Sequence, residues 1–476
     1  MPTEIRFGTD GWRAVIAEEY TFENVRACAQ GFAADLVANG APDAGVVVAW
    51  DTRFGSERFA AAVAEVLAGN GIRAALCSRP TPTPAASFSV MERGAAGGIV
   101  ITASHNPGEW NGFKVKSPEG GSAGPESVTR IEARVQEAQA DPSRVQRVPL
   151  REAEAAGLVE RFDPIPPYLE QLGKLVDIGP IRDAGLSVVV DAMFGAGGGL
   201  LPRLLSGGAT TVVEINPEPN PAFPGMGQPE PVEANLARLS ALVRDQGADA
   251  GVALDGDADR LGLVDENGRY LSTLEGFSLL AHHLLERRGE RGAIVSTITM
   301  SSMVDRLADA YGVEAPRTAV GFKYVGPKML ELDAMLGGEE SGGYALRGHV
   351  PERDGILSGL LFLEAMVTSG MRPSELLNTL HAVTGPHRFQ RVDLTFDPGS
   401  RGELAERIAT AAPGSLGGLA VDEVDRRDGV KFHLAGGAWA VIRLSGTEPL
   451  LRTYAEAADD ASVDRLLSGL RELLGL

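Results

Sequence analysis

The chain has 476 residues, of which 44% are hydrophobic and 23% charged, as in an ordinary globular protein, and its length predicts about three or four domains. A formal net charge of −20 argues against nucleic acid or an anionic membrane as a partner. No apolar run approaches the roughly 20 residues that span a bilayer, and two cysteines cannot build a disulfide framework, so we expect a cytoplasmic protein.

Three segments share the order strand, loop, helix, strand, which is typical of α/β domains with buried, largely parallel strands. In the first segment we expect strands near 46–50 and 73–77 and a helix near 55–69. The second segment lies at about 186–215 and the third at about 292–315. Because linker-like stretches separate them, the pattern favours three related domains in tandem over one large doubly wound sheet.

A polar turn follows the apolar residues 97–101 of the first domain. Ser104 and His105 stand in this turn, just after a predicted buried strand. A serine beside a histidine can act as a nucleophile with its general base. The same residues also suit an ordinary polar loop, and the turn by itself does not decide between the two interpretations.

Three aspartates, Asp255, Asp257 and Asp259, occupy alternate positions between two strand-like runs. Ionised carboxylates this close repel one another unless a cation offsets their charge, and oxygen ligands suit Mg²⁺ or Ca²⁺. Arg260 follows them, and an arginine beside a hard metal ion is typical of sites that handle phosphate.

Three other interpretations of this acidic loop stay open. A Ca²⁺-binding EF-hand would have Glu266 at its twelfth position, but Arg260 replaces the glycine of its sixth position and strands replace the flanking helices. A phosphatase could use Asp255 as a carboxylate nucleophile, because a D-x-D sequence after a strand suits that chemistry. The loop could also be a solvated acidic turn.

Two glycine-containing loops add groups that suit a phosphorylated sugar. The loop at 336–348 carries Glu339 and Ser341 between two pairs of glycines, so side chains and backbone could both contact sugar hydroxyls, although a mobile surface turn has the same composition. The loop at 442–456 combines hydroxyls, backbone N–H groups and two guanidinium groups, which indicates a phosphate-binding nest. Its candidate residues are Arg443, Ser445, Gly446, Thr447 and Arg452.

The chain ends in a region of different pattern. After about residue 386 the sequence favours antiparallel strands closed by a helix at 461–476, which predicts a small α+β domain. The expected domain limits are 1–160 with the serine turn, 161–268 with the acidic loop, 269–385 with the Glu339 loop and 386–476 with the arginine loop.

Taken in order, five motifs resemble those of the α-D-phosphohexomutase family, and the resemblance covers nearly the whole chain. "FGTDGWR" (7–13) is similar to the family's N-terminal phosphate-contacting segment, "TASHNP" to its phosphoserine loop and "DGDADR" to its metal loop. "GEESG" is similar to its sugar loop and "RLSGTEP" to its C-terminal phosphate loop. The resemblance implies three tandem related α/β/α domains with mixed, largely parallel sheets and a C-terminal α+β domain around a central cleft.

The resemblance also implies a role for each candidate residue. Ser104 would be the nucleophile, carried as a phosphoserine, and one Mg²⁺ per site would be held by Ser104, Asp255, Asp257 and Asp259. Lys114 would be the general acid/base, assisted by His105 and Arg13, with Arg260 near the phosphoryl group. The substrate-binding residues would be Gly321, Phe322, Lys323, Glu339, Ser341, Arg443, Ser445, Gly446, Thr447 and Arg452.

The implied activity is the interconversion of glucose 1-phosphate and glucose 6-phosphate, through glucose 1,6-bisphosphate as intermediate and activator. Phe322 stands where family members that act on glucosamine phosphates tend to carry an acidic residue, which favours glucose. Mannose phosphates are possible substrates, although Gly343 replaces the histidine that dual-specificity relatives often have. The alternatives are a phosphoglucosamine mutase, a metal-dependent sugar phosphatase that uses Asp255, and a non-catalytic Ca²⁺-binding module. The expected partners are small hexose phosphates, and the expected state is a monomer or weak homodimer.

Overall fold

The computed structural model describes residues 5–8, 10–445 and 450–475. They form four β-sheets in succession along the chain, each packed against helices. No helix in these residues combines the length and the apolar character that crossing a membrane requires.

The first domain has a mixed six-stranded sheet. Its strands are β1 (Trp12–Val15), β2 (Val46–Trp50), β3 (Ala74–Cys77), β4 (Gly98–Ile101), β5 (Trp110–Lys116) and β6 (Val159–Phe162). Its helices are α1 (Phe22–Ala38), α2 (Ser56–Gly69), α3 (Thr83–Glu92), α4 (Pro125–Ala140) and α5 (Leu150–Ala155). The strand order is β1-β5-β4-β2-β3-β6, with β4, β2, β3 and β6 parallel and β1 and β5 antiparallel to their neighbours. The strands and helix predicted at 46–77 are therefore confirmed.

The second domain repeats this plan on a smaller scale. Its strands are β7 (Ser187–Asp191), β8 (Thr211–Ile215), β9 (Ala250–Leu254), β10 (Leu261–Val264) and β11 (Tyr270–Leu271). Its helices are α6 (Ile165–Leu175), α7 (Ile178–Asp183), α8 (Leu200–Leu205) and α9 (Ala237–Gln246). The order is β11-β10-β9-β7-β8, and the acidic loop joins the antiparallel pair β9 and β10.

The third domain has a four-stranded sheet in the midst of long helices. Its strands are β12 (Ile294–Thr297), β13 (Arg317–Thr318), β14 (Leu336–Gly338) and β15 (Tyr344–Leu346), in the order β13-β12-β14-β15. Its helices are α10 (Thr273–Glu286), α11 (Met303–Tyr311), α12 (Phe322–Leu332), α13 (Gly355–Ser369) and α14 (Pro373–Thr384). The Glu339 loop is the turn between the antiparallel strands β14 and β15.

The fourth domain is an antiparallel sheet covered by two helices. Its strands are β16 (Arg388–Thr395), β17 (Ser415–Leu416), β18 (Leu419–Asp425), β19 (Val430–Leu434), β20 (Trp439–Leu444) and β21 (Leu450–Ala457), in the order β16-β21-β20-β19-β18-β17. Its helices are α15 (Arg401–Thr410) and α16 (Asp460–Leu474). The change of pattern expected near residue 386 is confirmed.

The hydrophobic cores follow this division. The first and fourth domains have cores of their own, whereas one large core runs through the second and third domains and includes Trp439 and Tyr454 of the fourth. The expected fold class, three related α/β domains followed by an α+β domain, is confirmed. Strand β6 extends two residues beyond 160 and β11 lies beyond 268 in the second sheet, and the exact domain limits stay predictions.

Candidate active site

The acidic loop brings three buried carboxylates together. It turns back on itself at Ala258, whose φ is +59°, between strands β9 and β10. One ligand atom from each of Asp255, Asp257 and Asp259 lies within 4.8 Å of the others. The backbone N–H groups of Asp259 and Arg260 donate to Asp255 Oδ1 at 2.9 and 3.2 Å, which fixes the first carboxylate.

These aspartates form a candidate metal site. Burial raises the pKa of Asp255 well above its ordinary value, and the Asp257 and Asp259 carboxylates raise it further. The buried oxygens Asp257 Oδ1 and Asp259 Oδ1 have no hydrogen-bond partner in the described residues. Unpartnered buried carboxylate oxygens are costly in a protein, and a hard cation such as Mg²⁺ takes oxygen ligands of this kind. The donor set therefore fits the predicted cation.

The serine turn reaches this cluster from the first domain. Ser104 lies between β4 and β5 with a positive φ of +51° and is buried. Its Oγ donates to Asp255 Oδ2 at 2.8 Å, across a separation of 151 residues in the chain. The ring nitrogen Nδ1 of His105 lies 3.3 Å from the same Oγ. The predicted nucleophile, its histidine and a predicted metal ligand are thus in direct contact.

Lys114 and His105 have opposite protonation preferences. Burial alone would lower the pKa of Lys114, but the carboxylates of Asp10, Asp257 and Asp259 outweigh burial and raise it. The Nζ atom lies 2.8 Å from Asp10 Oδ2, 2.9 Å from Asp257 Oδ2 and 3.5 Å from Asp259 Oδ2. Burial and the nearby Arg260 guanidinium lower the pKa of His105 well below its ordinary value. These shifts favour the ammonium form of Lys114 and the neutral form of His105.

The two predicted arginines lie beside this cluster. Arg13, in β1, donates from Nη1 to Asn106 Oδ1 at 2.7 Å and so contacts the serine turn. Arg260 is nearly buried, and its Nη1 lies 2.5 Å from Glu230 Oε1. The cation of Arg260 is therefore held at the edge of the acidic loop by a carboxylate of its own domain.

One buried guanidinium, Arg353, joins the first three domains. Its Nη2 lies 2.7 Å from Asp10 Oδ2 in the first domain and 2.8 Å from Asp259 Oδ2 in the second. Its Nη1 lies 3.4 Å from Glu339 Oε2 and its Nε 3.3 Å from Glu352 Oε1, both in the third domain. The acidic loop and the Glu339 loop are thus connected through one charged side chain.

The Glu339 loop presents two polar groups near this arginine. Burial raises the pKa of Glu339 to about 7, although the Arg353 cation opposes the shift. Near neutral pH this carboxyl group can accept or donate a hydrogen bond. The hydroxyl of Ser341 is buried and has no hydrogen-bond partner in the described residues. Ser341 also lines an open cavity of about 1020 Å³ between the second, third and fourth domains.

Residues 321–323 begin helix α12. Gly321 has a φ of +127°, which few other residues adopt. The ring of Phe322 is buried in the core of the third domain, with the Arg353 guanidinium 5.6 Å from its centroid. Lys323 donates from Nζ to the carbonyl oxygen of Gly8 at 3.3 Å and reaches the first domain.

The fourth domain places two arginines opposite each other on adjacent strands. Arg443 in β20 and Arg452 in β21 are direct cross-strand partners. Like charges in this arrangement destabilise a sheet unless an anion lies between them. Arg443 Nε also donates to Asp428 Oδ2 at 2.9 Å, and the same oxygen accepts from Val320 N of the third domain at 3.0 Å.

The remaining predicted residues of this loop are described in part. Ser445 is buried, and its N–H donates to Leu450 O at 2.8 Å. Gly446 and Thr447 lie outside the described residues. The contacts above join Ser104, Lys114, His105, Arg13 and the three aspartates into one site. Asp428 links Arg443 to the third domain.

Sequence reasoning missed four charged residues that the structure places around this site, namely Asp10, Arg53, Glu352 and Arg353. Asp10 lies in the segment assigned to phosphate contact, yet its carboxylate neutralises Lys114 and Arg353. Glu352 neutralises Lys116, whose Nζ lies 2.6 Å from Glu352 Oε2. In the sequence, two lysines inside an otherwise apolar strand, Lys114 and Lys116, could have indicated that buried carboxylates lie nearby to neutralise them.

Known domain profiles match the sequence in all four domains. The sequence matches the domain profiles "Phosphoglucomutase/phosphomannomutase, alpha/beta/alpha domain I" at 4–141, domain II at 166–268, domain III at 275–383 and the C-terminal domain at 402–473. A phosphoglucomutase/phosphomannomutase of Thermococcus kodakarensis is 35% identical over 454 residues, which are 95% of each chain.

Two further relatives extend the comparison. A phosphoglucosamine mutase of Paracoccus denitrificans is 32% identical over 459 residues, again 95% of each chain. The crystal structure of a Thermus thermophilus protein superimposes with a TM-score of 0.86 at 34% identity and covers all of both chains. The chain thus belongs to the phosphoglucomutase/phosphomannomutase family of phosphohexomutases, enzymes that transfer a phosphoryl group within a sugar phosphate.

Proposed function

We propose that this phosphohexomutase interconverts glucose 1-phosphate and glucose 6-phosphate through a phosphorylated Ser104 and a glucose 1,6-bisphosphate intermediate, with mannose phosphates as second substrates. The observation that carries the proposal is the 2.8 Å hydrogen bond from Ser104 Oγ to Asp255, because it joins a hydroxyl to a buried acidic cluster of another domain. Phe322 supports glucose over glucosamine, since an apolar ring stands where glucosamine-phosphate members tend to have an acidic residue.

In the first transfer, the phosphoryl group on Ser104 Oγ passes to the free hydroxyl of the hexose monophosphate, which yields the bisphosphate and a free serine. The bisphosphate then turns end for end within the cleft, and its other phosphoryl group returns to Ser104. Mg²⁺, held by Asp255, Asp257, Asp259 and a phosphoserine oxygen, would offset negative charge on the transferring group.

The protonation states of His105 and Lys114 suit these transfers. The neutral Nδ1 atom of His105, 3.3 Å from Ser104 Oγ, can accept the hydroxyl proton when the serine is rephosphorylated. In the first transfer the same atom would accept the proton of the attacking sugar hydroxyl. In each transfer Lys114 Nζ, which its carboxylate neighbours keep protonated, would donate a proton to the oxygen that leaves. The proton on His105 would then return to Lys114, so that each transfer moves one proton from the attacking oxygen to the leaving oxygen. Arg13 would orient the turn through Asn106, and Arg260 would place a positive charge near the phosphoryl group.

The remaining residues would hold the substrate. Glu339 and the Ser341 hydroxyl, which has no hydrogen-bond partner among the described residues, would bind sugar hydroxyls in either orientation, since each group can donate as well as accept. Gly321, Phe322 and Lys323, at the start of helix α12, would serve the same purpose. The non-reacting phosphate would lie on the fourth domain, with Arg443, Ser445, Gly446, Thr447 and Arg452.

The phosphatase alternative has less support. Its nucleophile would be Asp255, but Oδ1 of this carboxylate accepts two backbone N–H groups and Oδ2 accepts the Ser104 hydroxyl. A carboxylate whose two oxygens are both engaged is a poor nucleophile.

The decisive experiment is a coupled assay of the purified chain. With glucose 1-phosphate, Mg²⁺ and a trace of glucose 1,6-bisphosphate, we expect glucose 6-phosphate to form at an enzymatic rate and inorganic phosphate not to accumulate. Glucosamine 1-phosphate and mannose 1-phosphate are assayed in parallel, and we expect the highest kcat/KM with glucose 1-phosphate. A higher kcat/KM with glucosamine 1-phosphate, or stoichiometric phosphate release, would contradict the proposal.

Replacing Arg443 tests the phosphate contact of the fourth domain. Losing one charge-assisted contact costs about 1.5–3 kcal/mol, so Arg443→Ala is expected to lower kcat/KM roughly ten- to a hundred-fold. The loss appears partly in KM and partly in kcat, because this contact both binds the substrate and positions the reacting hydroxyl. The variant should also release more free glucose 1,6-bisphosphate per turnover.

The matched control is Arg407→Ala, which removes an arginine of the same domain that donates to Leu474 O and Glu403. This control is expected to keep its kcat/KM. Unchanged kcat/KM and unchanged bisphosphate release in Arg443→Ala would mean that Arg443 does not hold phosphate.

A further inference from the structure

Arg53, in the turn after strand β2, holds the serine turn by its main chain. Its buried guanidinium donates to four carbonyl oxygens of that turn. Nη2 donates to Ser104 O and Asn106 O, each at 2.6 Å, and Nη1 to Pro107 O at 2.7 Å and Trp110 O at 3.0 Å. These four carbonyls converge on one point, where they would repel one another without a planar group of several donors.

The guanidinium itself lies against a carboxylate and an aromatic ring. Asp51 Oδ2 lies 3.3 Å from Arg53 Nε, and Asp51 Oδ1 accepts from the Arg53 backbone N–H at 2.9 Å. Ser56 Oγ donates to the same Oδ1 at 2.7 Å. The ring of Phe223, from the second domain, lies 5.0 Å from the guanidinium carbon. Arg53 therefore connects strand β2, the serine turn and a loop of the second domain.

The turn needs such support because Ser104 adopts a left-handed conformation. A φ of +51° is unfavourable for a residue with a side chain and persists where its surroundings impose it. This conformation accompanies the contact of Ser104 Oγ with Asp255. The carbonyl oxygen of Ser104 is one of the atoms that Arg53 binds, so the same residue is held at its main chain and at its side chain.

We propose that Arg53 is a positioning residue, which keeps Ser104 in the geometry for phosphoryl transfer by binding the four carbonyl groups of its turn. The inference rests on the proposed function, in which Ser104 carries the phosphoryl group. Arg53 would act through the main chain of residues 104–110, to which both of its terminal nitrogens donate, and not by contact with the substrate.

The test compares Arg53→Lys with the native enzyme. Lysine keeps the positive charge beside Asp51, but one ammonium group cannot donate to four carbonyls in the planar arrangement of a guanidinium. Because a misplacement of about 1 Å at a reacting group costs on the order of 100-fold in rate, we expect kcat to fall about 100-fold. KM is expected to stay nearly constant, since the sugar and phosphate contacts remain. Amide hydrogens of residues 102–110 should exchange faster with solvent.

Two other variants complete the design. Phe223→Leu keeps every donor of Arg53 and removes the aromatic ring beside it. We expect a smaller fall in kcat, again at constant KM. If Arg53→Lys does not fold, this variant tests the positioning role in its place. Arg426→Ala is the matched control, because Arg426 also donates to two carbonyls, Ala409 O and Ala411 O, but in the fourth domain. Its kcat is expected to be that of the native enzyme.

A folded Arg53→Lys with native kcat, or one whose KM rises as much as its kcat falls, would overturn the positioning role. Native kcat in Phe223→Leu would overturn it if Arg53→Lys does not fold. If instead the proposed function is wrong and Ser104 does not carry the phosphoryl group, Ser104→Ala would keep its turnover, independently of the result with Arg53→Lys. Faster exchange at residues 102–110 with low kcat and unchanged KM supports the inference.

Discussion

The Ser104→Ala variant is expected to lose mutase turnover by at least about four orders of magnitude, because no other group can carry the phosphoryl between the two transfers. Native protein incubated with glucose 1,6-bisphosphate should gain the mass of one phosphoryl group, and the variant should not. Turnover is measured by formation of glucose 6-phosphate, and the mass by spectrometry of the intact protein.

The control for this substitution is Ser89→Ala. Ser89 is also buried in the first domain, but its hydroxyl donates only to Ala85 O within helix α3 among the contacts described. We expect this variant to keep the native turnover and the native gain in mass. Native rates in Ser104→Ala would show that another residue is the nucleophile.

Substituting Asp257 by asparagine should lower kcat by about two to four orders of magnitude and weaken the response to Mg²⁺. The amide keeps the size of the side chain but removes one of the negative charges that would hold the cation. It also removes the charge that pairs with Lys114 at 2.9 Å, so the ammonium group loses one of its carboxylate partners. The measurements are kcat against Mg²⁺ concentration and calorimetric titration of Mg²⁺ alone.

Asp265→Asn is the matched control for this experiment. Asp265 is buried near the same strands, but its Oδ1 accepts backbone N–H groups of Asn267 and Arg269 in the turn after β10. We expect it to leave the Mg²⁺ dependence unchanged. A native Mg²⁺ response in Asp257→Asn would show that Asp257 does not hold the cation. A phosphoryl group trapped covalently on Asp255 would favour the phosphatase alternative.

The fold could be predicted where a buried strand appears in the sequence as a continuous run of apolar residues. Strand Val46–Trp50 is buried between layers of helices, so its apolar run is continuous and the α/β pattern around it is legible. Strand Trp110–Lys116 is harder to interpret, because Lys114 and Lys116 are fully buried there. Their burial depends on carboxylates of Asp257 and Glu352, which lie 143 and 236 residues away in the chain.

The same distinction applies to the site. Residues inside one motif, such as the three aspartates, could be predicted because their chemistry and spacing are local. The role of Arg353 could not be predicted, because its partner Asp10 lies 343 residues away in the chain and the residues around Arg353 match none of the motifs described above. Phe322 stays a predicted binding residue, and the structure places its ring in the core of the third domain at the start of helix α12.

The Arg353 contacts also limit how this architecture can change during evolution. One guanidinium neutralises Asp10, Asp259 and Glu339, which come from three successive domains. A domain exchanged with that of a relative without this arginine would leave carboxylates of the other two domains buried and uncompensated. We therefore expect the charges at these four positions to change together in evolution, because a change of charge in one domain requires a compensating change in another.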